Sequence, residues 1–146
     1  MTERLLRLAL DLATAAGHGP PSEGLVTFMG MLGLVYLRQN DLKSAERLFR
    51  KAVATAPPQS RVRAHISGGL GRCLALQGDY ENAEELLVRQ HRSNVLWLGR
   101  ADSNAIWSAQ HLVDLYRAWG RPDDADRWHR RLLATKKSRK LATEKN

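Results

Sequence analysis

The chain has 146 residues, 43% of them hydrophobic and 26% charged, which is the size of one ordinary domain and too apolar for a disordered segment. No apolar run approaches the roughly 18 residues that a membrane-spanning helix needs. The formal net charge is +8, yet residues 127–146 hold eight of the 23 basic residues and only one of the 15 acidic ones, so the body is nearly neutral and the surplus lies at the C-terminal end, which weakens charge as a nucleic-acid signal.

In chain order, the first segment scatters Glu3, Arg4, Arg7 and Asp11 among apolar residues. A secretory leader keeps its apolar core free of charge, so residues 1–16 are predicted to form a capping helix, from about Glu3 to Ala16, and not a leader. Gly17-His18-Gly19-Pro20-Pro21-Ser22 reads as a breaker-rich loop. Beyond it, three segments follow one rule. Leu32, Leu70 and Leu112 are each followed at four residues by Tyr36, Leu74 or Tyr116, at eight by Asn40, Gly78 or Gly120, and at thirteen by Ala45, Ala83 or Ala125.

Each offset has a physical task. The paired apolar residues share one face of a helix and fill a core. Asn or Gly stands where that helix must stop, because both tolerate positive φ. The alanine falls early in a second helix and permits close approach to the first. Pro57-Pro58 closes a second helix, whereas Asp41, Asp79 and Asp123-Asp124 suit helix N-termini. The expected organisation is a leading helix, hairpins over 26–59, 60–99 and 101–135, and a disordered basic tail over 136–146. The fold class is all-α, a right-handed solenoid of antiparallel helix pairs.

With Leu32-Gly33, Tyr36, Ala45, Phe49, Ala52 and Pro57, this pattern resembles the tetratricopeptide repeat, and the resemblance covers roughly residues 26–134. The intervals from Leu32 to Leu70 and from Leu70 to Leu112 are 38 and 42 residues, longer than the usual repeat of about 34. Leu98-Gly99-Arg100-Ala101-Asp102, followed by Trp107 and Leu112-Val113-Asp114-Leu115-Tyr116, is similar to the long kinesin-light-chain variety seen in bacterial arrays. The resemblance implies a protein-binding scaffold or adaptor whose first helices line a concave groove.

By periodicity that groove would present Thr27, Arg38, His65, Arg72, Trp107, Gln110, Asp114 and Arg117. Guanidinium groups beside an aromatic suit a carboxylate-bearing segment, since arginine binds carboxylates through two parallel hydrogen bonds. The carboxylate clamp of chaperone-binding relatives is not expected, because Thr27, Gly30, Met31 and Leu34 stand where its lysine and asparagine would. Trp119 and Trp128 are expected in the core, and Trp97 at a contact surface. Cys73 is expected to be a small buried hydrophobe, and as a lone thiol it favours a reducing cytoplasm. Five histidines show no paired spacing, so no metal and no cofactor are expected. Gly68-Gly69-Leu70-Gly71 lacks the lysine and hydroxyl of a phosphate loop.

No acid, base and nucleophile form a catalytic set, so the chain reads as a non-enzyme. The predicted partner is a protein or peptide, acidic in character. Self-association through the open ends of the stack is a further possibility. The alternative reading is a nucleic-acid-associated factor using Lys136, Lys137, Arg139 and Lys140, although no aromatic is interleaved with them.

Overall fold

The computed structural model describes residues 3–15 and 23–145, and within them the chain is helical throughout. The helices are α1 (Glu3–Ala15), α2 (Glu23–Arg38), α3 (Leu42–Thr55), α4 (Arg61–Leu76), α5 (Tyr80–Leu98), α6 (Ser103–Ala118) and α7 (Pro122–Glu144). The loop expected over residues 17–22, with His18, lies outside the described residues. Among them, no helix is long and apolar enough to cross a membrane.

Three turns share one geometry. Asn40, Gly78 and Gly120 have φ of 59°, 85° and 73°, the left-handed region that closes a helix. In each turn the next residue reaches back five positions: Asp41 N donates to Tyr36 O, Asp79 N to Leu74 O and Arg121 N to Tyr116 O, all at 2.9 Å. This is the Schellman closure, which satisfies carbonyls that the helix end leaves open. Asp41 then caps α3 by accepting from Ser44 N at 3.2 Å. Ser60 caps α4 and Asp102 caps α6 in the same manner. Pro57 follows the end of α3, whose last carbonyls are met by Ala56 N.

The hairpins α2–α3, α4–α5 and α6–α7 stack in two layers. In one layer α2 packs on α4 and α4 on α6, whereas α3, α5 and α7 pack mainly on the first layer, with the His91 ring of α5 meeting the Trp128 ring of α7 edge-on at 5.0 Å. Closer packing on one side curves the stack, and the row α2, α4, α6 becomes its inner face. Ala45, Ala83 and Ala125 are all at most 2% exposed and let the layers approach. Phe49, 1% exposed, locks the first two hairpins together. A Cβ on Gly33 or on Gly69 would stand 2.7 Å from its ring, so only glycine at both positions admits the ring between α2 and α4. Such burial stabilises by about 1.5–3 kcal/mol.

Cys73 is fully buried, its thiol directed at Leu42 O at 3.3 Å, and burial raises its pKa, in keeping with a packing role. Trp119 and Trp128 are half-buried and lean on the core from outside. Trp119 stacks between Tyr80 and Tyr116 at 5.8 Å and 6.3 Å.

The expected disordered tail is corrected. Residues 136–144 continue α7, a helix of 23 residues. Lys136, Lys137, Arg139 and Lys140 are exposed on it, and Arg139 donates to Ser103 Oγ at 3.3 Å. The residues there are good helix formers without glycine or proline, so the helix begun at Pro122 has no reason to stop.

Candidate functional site

The inner face is built from matching positions on three helices. On α4, His65 and Arg72 are seven residues apart, two helical turns, and share a side. On α6, Trp107, Gln110, His111 and Asp114 follow helical spacing along one side. Trp107 is 66% exposed and meets the His111 ring edge-on at 5.8 Å. Gln110 Nε2 donates to Asp114 Oδ1 at 3.0 Å. Arg38 is exposed in the last turn of α2.

Electrostatics ties these residues into one site. Burial lowers the Arg72 pKa, the nearby charge of Arg38 lowers it further, and Asp114 opposes both. His65 is lowered by burial and by Arg72. His111 is lowered to about 4, first by burial, then by Arg72, against a small opposing pull from Asp114. Near neutral pH His111 is therefore an uncharged imidazole. Arg72, half-buried, is the centre whose charge reaches α2 and both histidines. It makes no ion pair or side-chain hydrogen bond among the described residues.

The structure thus brings together Arg38, His65, Arg72, Trp107, Gln110 and Asp114. It leaves two expected members aside. Thr27 turns its hydroxyl to its own helix, donating to Glu23 O at 2.8 Å. Arg117 is exposed on α6, three residues after Asp114, with no ion pair among the described residues. Sequence reasoning passed over His111, which sits at the junction of α4 and α6. Its signal was a position one turn after Trp107, on the face already assigned to the groove.

A second histidine has a different role. His91 Nδ1 lies 2.9 Å from Ser108 Oγ, and Ser108, 1% exposed, donates its hydroxyl proton to Ala105 O at 2.9 Å. The pair holds α5 to α6. Among the described residues, no three of His, Cys, Asp and Glu gather as a metal ion would require.

Two family models described as tetratricopeptide repeat match, one over residues 62–138 and another over 25–56. The cellulose synthase 1 operon protein C of Komagataeibacter xylinus is 28% identical over 119 residues, which is 78% of this chain and 9% of that protein. Among solved structures, BtubC (BKLC) from P. vanneervenii superposes with a TM-score of 0.82 at 20% identity, over 93% of this chain and 55% of that one. A point variant of a putative kinesin light chain from Podosopora anserina, with nearly identical TPR-like repeats, superposes with a TM-score of 0.71 at 18% identity, over 99% of this chain and 68% of that one. The chain therefore spans about a tenth of the curated relative and about half of BtubC.

Proposed function

The chain belongs to the tetratricopeptide-repeat family, and we propose that its inner groove binds an extended, carboxylate-bearing segment of a partner protein, with no chemistry done on it. Repeats of this family are generally protein-interaction modules, and the fold is typically non-catalytic. What carries the finer reading is Arg72. A half-buried guanidinium with another arginine nearby and no ion-pair partner is costly, and a ligand carboxylate would offset that cost through paired hydrogen bonds. Arg38 adds a second positive charge, His111 stays neutral, and Trp107 offers an apolar platform beside it. A scaffold or adaptor role in a reducing cytoplasm belongs to the same reading.

The test uses immobilised chain and an Arg72→Ala/Trp107→Ala variant to capture partners from native lysate. Capture by the wild type, lost in the variant and competed by a free acidic peptide, is the expected result. Capture that both retain, and that nuclease or removal of residues 135–146 abolishes, would overturn the groove in favour of nucleic acid bound to the tail.

A further inference from the structure

A cleft of 920 Å³ lies between α5, α6 and α7. It is behind the groove, not part of it. Ala105 and Ala109 of α6 line it, and at 100° per residue they point roughly opposite to Trp107, His111 and Asp114. Its walls are apolar, with Val88 and Val95 from α5, Ile106 from α6, and Trp128 and Leu132 from α7. At its lip Leu96 is 79% exposed and extends the apolar wall out to the cleft's mouth.

The rim has one sign of charge. Arg92, Arg100 and Arg131 border the cleft, and no aspartate or glutamate does. All three are exposed, and none makes an ion pair among the described residues. Arg131 lies over the Trp128 ring at 5.4 Å, and its charge and that of Arg100 both reach His91 on the wall. An apolar trough with an unpaired cationic rim complements an occupant that is apolar on one side and acidic on its flanks.

The walls also decide the occupant's backbone. Besides His91, which Ser108 engages, the uncharged polar groups on the lining are the Trp128 indole N–H and the hydroxyls of Thr135 and Ser138. Ser138 spends its hydroxyl on Ala134 O. An extended strand pressed on such walls would leave its N–H and C=O groups without partners. A helix meets them internally. The trough runs along residues 88–96 of α5 and 128–138 of α7, about 12–15 Å at 1.5 Å per residue, room for roughly two to three helical turns.

We propose that this cleft is a second docking site, and that it takes an acidic amphipathic helix of a partner protein, independently of the groove. The helix seats leucine-like side chains at i, i+3, i+4 and i+7 on Ile106, Trp128 and Leu132, and its flanking carboxylates meet Arg92, Arg100 and Arg131.

The probe is a fluorescent synthetic helix of about 16 residues, with leucines in that spacing and glutamates elsewhere. It is titrated by anisotropy at about 0.15 M salt beside a scrambled peptide of the same composition. Saturable binding of the patterned peptide alone is expected. It should weaken about tenfold or more in an Arg92→Ser/Arg100→Ser/Arg131→Ser variant and in Leu96→Asp, and stay unchanged in Arg72→Ala/Trp107→Ala. Because Arg131 packs on Trp128, Ala101→Trp at the exposed mouth supplies a block that leaves the charges intact, and circular dichroism confirms that each variant is folded. Equal binding of the scrambled peptide, or none by about 1 mM, would overturn the proposal. So would a dimer of the chain that Leu96→Asp dissolves in sedimentation, since the cleft's occupant would then be a second copy.

Discussion

The two halves of the stack solve the same packing problem differently. Between α2, α3 and α4 the layers are drawn tight: Gly33 and Gly69 admit the Phe49 ring, and Ala45, Ala52 and Phe49 are almost fully buried. Between α5, α6 and α7 the helices are longer, at 19 residues for α5 and 23 for α7. Their distal halves stand apart over α6 and leave a cleft between them. The aromatic there, Trp128, covers the edge of the core where Phe49 fills its middle. A repeat lengthened beyond its packing partners thus gains helix without gaining neighbours, and the surplus becomes surface available to something else.

That comparison breaks most sharply at the aromatics. Phe49→Ala is expected to cost about 3–5 kcal/mol, as for other deeply buried phenylalanines. Trp128→Ala, at the open cleft, is expected to cost about half as much or less, because water already reaches one side of the ring. Urea unfolding of both variants reads the difference, and equal losses would mean that the C-terminal half packs as tightly as the first.

Acid should act through the histidines whose pKa the fold lowers, His111 above all. The folded-state pKa of His111 is depressed from 6.5 to about 4, and His65 and His91 are depressed too. The folded state therefore binds fewer protons than the unfolded one across this window, so stability falls as pH drops from about 6.5 towards 4. A His111→Gln variant, which has no proton to gain, should show a shallower loss between pH 7 and pH 5 in denaturant melts. An unchanged slope would place the acid sensitivity elsewhere.

The turns should give the smallest effect. Gly120→Ala places a Cβ on a residue with φ of 73°, where nothing lies within 4 Å, so the cost is backbone strain alone, about 1–2 kcal/mol. Asn40→Gly, at the equivalent turn of the first hairpin, removes such strain and should change stability by less. A thermal melt of each compares them, and a larger loss at Asn40 would show that its side chain does more than tolerate the turn.

The offsets at four, eight and thirteen residues were enough to locate the hairpins, because each encodes a local requirement: a buried face, a positive φ, a small contact. The same periodicity assigns Arg38, His65, Arg72, Trp107, Gln110 and Asp114 to one face, and of these Arg38, His65 and Asp114 lie within reach of the Arg72 charge. It does not record that the Thr27 hydroxyl bonds within its own helix. The tail's charge density says nothing against a helix, since no glycine or proline in residues 136–144 breaks one.

By itself, then, the sequence determined the repeat, the turn positions and the family, since these rest on contacts within one hairpin or between neighbours of fixed spacing. Only the tertiary structure decided that Arg72 stands half-buried within reach of Arg38, His65, His111 and Asp114, because its surroundings come from three helices up to 76 residues apart, Arg38 to Asp114. It alone decided, too, that α5 and α7 part over α6. That separation depends on where long helices run out of neighbours, which no spacing within either helix records.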